Sequence, residues 1–186
     1  MLLRMTLLSH GRTTARASAF AADEPLAEDV AERIGALVAA LSDVDQVLVS
    51  PALAARQTAA AWSKNTAIEI GLADIDLSRW RGRLIRDVET AEPDALTAWM
   101  EDADFAGHGG ESRAELMRRV AAWLDARRRS SGHILAVTHP AVIQAAVLCI
   151  LDAPGSAFRS IDVAPLHALD IRSDGRRWAI RSFGRL

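Results

Sequence analysis

Two histidines stand where a chain could use them for chemistry. His10 follows the apolar run Leu2–Leu8, and His139 follows His133–Thr138; both runs read as short buried strands. A strand-to-helix junction points backbone N–H groups at whatever lies above it, which favours anions. A neutral imidazole held there can attack a phosphoryl group and carry it covalently, while a second imidazole hydrogen-bonds the transferring oxygens. A lone histidine in such a place is more often structural. Two of them at matching junctions carry more weight, and phosphoryl transfer is a chemistry such a pair could perform. His133 and His167 lie within or beside strand patterns and read as structural.

The elements that must position this pair follow from periodicity. Glu28–Leu41 has a helical stripe of Val30, Ile34, Leu37, Val38 and Leu41, and Gln46–Val49 is a second apolar strand. Ser50-Pro51 reads as an N-cap serine with proline at the first helical position, opening a helix to about Trp62. Ala67–Leu72 is a third strand, and the irregular stretch Asp74–Pro93 is expected to loop over one face of the sheet. Ser112 and Glu115 have capping-box spacing, and their helix ends in the basic turn Arg127-Arg128-Arg129, which complements its dipole. Past His139-Pro140 an apolar helix runs to Leu151. Leu166–Ile171 and Trp178–Ser182 then form a hairpin about Ser173-Asp174-Gly175. Alternating strands and helices predict an α/β fold with a mainly parallel central sheet. In such sheets ligands bind beyond the carboxyl ends of the strands, where Ser9, His10, Ser50 and His139 all fall.

Several motifs occur in one order along nearly the whole chain. They are Ser9-His10-Gly11-Arg12-Thr13, the segment Ser50-Pro51-Ala52-Leu53-Ala54-Ala55-Arg56-Gln57-Thr58-Ala59, Trp80-Arg81-Gly82, Gly109-Gly110-Glu111-Ser112 and Val137-Thr138-His139-Pro140. The endings Phe158–Val163 and Asp174–Trp178 complete the set. Together they resemble the histidine phosphatase (phosphoglycerate-mutase-like) superfamily, whose members carry Arg-His-Gly, Ser-Pro-Leu-x-Arg-Ala-x-Gln-Thr-Ala, Trp-Glu-Gly and Gly-Gly-Glu-Ser. The resemblance implies a three-layer α/β/α sandwich, a phosphorylated nucleophile at His10, and support of the transferred phosphoryl by His139. It implies no cofactor and no metal. It also implies two phosphate-binding arginines and an acid for the leaving oxygen, and at their places stand Ser9, Ala54 and Arg81.

Those replacements are large in energetic terms. A transition-state arginine contributes about 10³–10⁵ in rate, and a general acid about 10²–10⁴. Arginines do appear nearby. Arg12 and Arg16 would share a face if a helix began after Gly11, and Arg81 supplies charge though no proton. Arg56 lies two residues past Ala54, a helical turn of about 200°, so it is expected to face solvent. Glu111 is either a first-turn helix neighbour or a substitute acid or orienting group. His108, in a glycine-rich loop, is expected to be exposed and could overhang the site as a proton donor. Two functions stay open. One is phosphomonoester hydrolysis through a phosphohistidine at His10; the other is an inactive relative that binds an anion or a protein partner.

Composition bounds the partners. The formal charge is −2 over 186 residues, so no global field draws nucleic acid or an anionic membrane. Lys64 is the single lysine among 22 basic residues, a bias that suits bidentate anion contacts but is better read as the composition a GC-rich genome produces. Cys149 is the only cysteine and sits in an apolar run, which reads as a small buried hydrophobe. The histidines lack ligand spacing for a metal, and Gly107–Gly110 lacks the lysine of a nucleotide loop. No run reaches the roughly 20 apolar residues of a membrane span. The expectation is one domain over residues 1–186, cytoplasmic by default, binding a small phosphorylated molecule or an inorganic anion.

Overall fold

The computed structural model describes residues 2–16, 18–62 and 65–186. Its centre is a six-stranded sheet, built from β1 (Leu3–Ser9), β2 (Gln46–Val49), β3 (Thr66–Ile68), β4 (Gly132–Thr138), β5 (Ala168–Ser173) and β6 (Trp178–Gly184). The spatial order is β3-β2-β4-β1-β5-β6, with the first four strands parallel and the last two antiparallel. Helices α1 (Ala31–Ala40) and α2 (Leu53–Ala59) cover one face, while α5 (Arg113–Arg127) and α6 (Pro140–Leu151) cover the other. This double cover explains why β1 and β4 are near-continuous apolar runs instead of alternating ones. Leu3, Met5 and Leu7 pack with Leu116, Val120, Val142 and Ile143. Leu8 turns to the opposite cluster with Val30, Ile34 and Leu37.

Helix boundaries follow local chemistry. α5 opens on a full capping box: the Ser112 hydroxyl accepts from the Glu115 amide at 3.1 Å, and the Ser112 amide donates to the Glu115 carboxylate at 2.8 Å. α6 has Pro140 at its first position, where the missing N–H costs nothing.

Four expectations needed correction. Ser50 does not cap α2, which starts at Leu53 with Ala52 before it and ends at Ala59, short of Trp62. The third strand shortens to Thr66–Ile68 and gives way to a 3-10 turn over Ile70–Leu72. No helix follows Gly11 among the described residues, so Arg12 and Arg16 share no helix face. Asp74–Pro93 is not one loop, since it holds a 3-10 turn at Ser78–Trp80 and helix α3 (Ile85–Ala91). Helix α4 (Pro93–Glu101) starts directly after it.

The reason for that last difference is a third hydrophobic cluster of Phe20, Leu77, Trp80, Val88 and Leu96, which gives the segment a core of its own. Trp80 is fully buried at its centre, stacked on Phe20 at 5.3 Å and flanked by Phe105 at 6.1 Å. Its indole N–H donates to Glu92. Hydrogen bonds from Arg79 and Arg83 hold that carboxyl down to about 2. Trp80→Ala is therefore expected to lower stability by about 3–5 kcal/mol, the usual cost of emptying a packed aromatic site. A denaturant midpoint that barely moves would show that this cluster is not cooperative with the sheet.

Candidate functional site

Strand register places the two histidines. In the β1–β4 pairing Ser9 lies opposite Thr138, so the next residues, His10 and His139, emerge side by side. The His10 amide donates to Thr138 O at 2.9 Å and the Ser50 amide to Val137 O at 2.9 Å, which fixes three strand ends at one level. The imidazole centroids of His10 and His139 lie 5.0 Å apart at 71°.

Each ring has a defined orientation. His10 Nδ1 is 2.8 Å from Gly11 O, and a carbonyl only accepts, so Nδ1 carries the hydrogen and the Nε2 lone pair is free. Thr58 holds this loop, accepting from the Gly11 amide at 3.0 Å and donating to Ala54 O at 2.8 Å. Gly11 is required there, because a Cβ would stand 2.6 Å from a Val30 methyl. His139 is buried, with Nε2 2.7 Å from Ser50 Oγ and Nδ1 3.4 Å from Asp74 Oδ2. Burial pushes its pKa below 6.5, against the pull of the Asp74 carboxylate. In the neutral ring, Nδ1–H faces the carboxylate and Ser50 donates to Nε2. The Ser50 oxygen also accepts from the Ala52 amide at 3.3 Å, in the turn that leads into α2.

A cavity of about 240 Å³ opens beside His139, with Asp23, Ser50, Ala52, Asp74 and Arg81 on its walls. Its charges are mixed. Asp23 accepts from the Leu53 amide at the start of α2 at 2.6 Å, and Arg81 donates to Asp76 at 2.9 Å. Ser9 and Ala54 are buried, and the Ser9 hydroxyl has no hydrogen-bond partner among the described residues.

The other candidates disperse. Arg12 pairs at the surface with Asp29 at 2.6 Å, Arg16 is exposed, and Arg56 is exposed as expected. Glu111 makes a two-pronged ion pair with Arg119, at 2.8 and 2.7 Å. Arg119 also donates to the carbonyls of Gly71, Ala73 and Asp74. Glu111 thus braces the segment that carries Asp74 and stays off the wall of the cavity beside His139. His108 overturns its expectation, being fully buried against Trp80 and Phe105, with Nδ1 accepting from the Gly110 amide. Gly110 lets this loop approach closely, since a Cβ would lie 1.9 Å from Asp76 O. Asp74 is the residue that sequence reasoning missed. Its signal was position: two residues past Leu72, the end of the apolar run that the sequence marks as the third strand.

His133 is buried between Thr6 and Asp43, and His167 accepts from the Ala164 amide, both structural as expected. Cys149 is half-buried, and burial raises its thiol pKa. Desolvation lowers the pKa of His108, His133 and His139 from 6.5. The unfolded chain therefore binds more protons than the folded one below about pH 6.5, and stability falls as pH drops through that range. A thermal midpoint that is no lower at about pH 5.5 than at about pH 7.5 would contradict this.

The sequence profile of the histidine phosphatase superfamily (branch 1) matches residues 5–185, and the chain belongs to that superfamily. Its architecture is the phosphoglycerate-mutase-like one. The chain is 40% identical over 53 residues to a glucosyl-3-phosphoglycerate phosphatase of Mycolicibacterium vanbaalenii, covering 28% of this chain and 24% of that one. It is 27% identical over 188 residues to a bifunctional protein of Mycobacterium tuberculosis, covering 92% and 51%. It spans about half, or less, of the length of these curated relatives. The solved mycobacterial glucosyl-3-phosphoglycerate phosphatase superimposes with a TM-score of 0.86 at 21% identity, covering 100% of both chains, and has also been solved with VO3. Among the described residues no helix is long and apolar enough to cross a membrane, and no cluster of three or more His, Cys, Asp or Glu could hold a metal ion.

Proposed function

We propose that the chain hydrolyses small phosphomonoesters through a phosphohistidine at His10, with Asp74 as the proton donor. The observation that carries this reading is the arrangement around His139, whose ring lies 5.0 Å from that of His10, with its free Nε2, and whose Nδ1 lies 3.4 Å from the Asp74 carboxyl. In the reaction, Nε2 attacks phosphorus and the bond to the leaving oxygen breaks, with its proton supplied by Asp74, which enters the step in its acid form. Water then attacks the phosphohistidine, gives its proton back to Asp74, and releases inorganic phosphate. Ser50, His139 and Arg81 are the groups placed to meet the phosphoryl oxygens. A cavity of about 240 Å³ suits a small ester better than a phosphoprotein surface. That relatives are named as phosphatases, one of them solved with a vanadium oxyanion, supports the same reading.

A second reading, anion binding without turnover, has its own observation. Ser9 and Ala54 leave His10 without the family's arginines, and Arg81 is paired with Asp76. Hydrolysis of an aryl phosphate in the presence of EDTA separates the two, combined with an acid quench for labile histidine-bound phosphate. Turnover that Asp74→Asn leaves untouched would remove Asp74 from the proton-donor role. No turnover at any pH would favour the binding reading.

A further inference from the structure

We infer that Ser50 is a positioning residue that couples anion binding in this cavity to the uptake of one proton by His139. The inference names the regulation of the site proposed above and rests on that site being one for anions. In the empty cavity Ser50 Oγ, 2.7 Å from His139 Nε2, spends its only hydrogen on that lone pair, while Nδ1–H faces Asp74. The cavity wall then offers an incoming anion the acceptor side of the hydroxyl and a neutral ring behind it. With Ser9 and Ala54 at the arginine places, an oxyanion has to find positive charge elsewhere.

Protonating Nε2 solves both problems at once. The 2.7 Å bond reverses, Nε2–H donates to Oγ, and the Ser50 hydrogen turns free to meet an anion oxygen in the cavity that it lines. One proton passes from solvent to His139, the ring gains a unit charge, and the Asp74 carboxylate stands ready against Nδ1–H. The groups that face His139 are Asp74 and Asp23, which favour the proton, and His10 and Arg119, which oppose it; Arg81 adds to the opposition from the far wall. Burial tips the empty site toward the neutral ring, so the proton arrives with the anion and not before it. The hydroxyl thus works as a reversible contact: a donor to histidine when the cavity is empty, a donor to the ligand when it is full.

Sulfate is the probe, because it does not itself titrate near neutrality. Calorimetric binding in buffers of different ionisation enthalpy counts the protons taken up. The native chain is expected to take up roughly one proton per sulfate near neutrality, and its affinity to weaken about tenfold per pH unit above that. His139→Gln keeps a neutral donor and is expected to bind weakly with no proton uptake and a flat pH profile. Ser50→Ala frees Nε2 in the empty site, so it should weaken sulfate and also lower the proton count. A purely structural serine would weaken sulfate with the count unchanged, and that result overturns the inference. So does native binding without proton uptake, or no sulfate binding between about pH 5 and 8. Hydrolysis is not part of this readout, so proton-linked sulfate binding with no esterase activity would sink the proposed reaction and leave this inference standing.

Discussion

His10→Ala is expected to remove aryl phosphate hydrolysis by roughly 10⁴–10⁶-fold and to abolish acid-labile labelling of the protein, as loss of a covalent nucleophile does. The substitution is well suited to the question because the backbone around it is held independently. The His10 amide bonds to Thr138 O and the Gly11 amide to Thr58, and neither needs the imidazole. What disappears is one Nε2 lone pair and the Nδ1–H bond to Gly11 O. The fold, read by its thermal midpoint, should move little because His10 is only half-buried. Residual turnover equal to the native rate would mean that a contaminating enzyme or a different nucleophile does the work. The phosphohistidine reading would then fail.

Much of this site was legible because a parallel sheet turns sequence position into spatial position. A strand ending at Ser9 beside one ending at Thr138 must bring His10 and His139 together, and both strands were visible as apolar runs. Gln57 and Thr58 also make sense afterwards, since they bind the Leu26 amide and the Gly11 amide and so tie the loop after His10 to α2. What sequence reasoning missed was tertiary. Ser50-Pro51 fits a helix-start pattern, yet α2 opens only at Leu53, and the Ser50 hydroxyl sits in the turn before it, bonded to the buried His139 and to the Ala52 amide. His108 sits in a run of glycines that suggests exposure, but those glycines allow close approach to Ser78 and the Asp76 carbonyl, and Trp80 with Phe105 cover the ring. Arg12, two residues past His10, was a candidate for phosphate. Its guanidinium turns outward to Asp29, an exposed pair of the kind worth at most about 1 kcal/mol. The Pro at the start of α4 was a readable signal, and the apolar cluster beneath it was not.

Ala54→Arg is expected to raise kcat/KM for aryl phosphate strongly, toward the roughly 10³-fold that one phosphate-binding arginine contributes. Position 54 is the second residue of α2, and helix side chains lean toward the N-terminus of their helix. An arginine there would lean toward Ser50 and Ala52, which line the cavity beside His139. Two features limit the gain. Ala54 is buried, so a guanidinium has to reach the cavity without displacing the Thr58 bond to Ala54 O. Asp23 caps the same helix end through Leu53 and would compete for the new charge. The comparison that isolates charge is Ala54→Gln, which adds length and polarity without a cation and should gain little. If arginine and glutamine behave alike while His10 remains essential, phosphate charge does not limit this site. The mixed acidic and basic wall would then be matched to a substrate that carries less negative charge than a simple phosphate dianion.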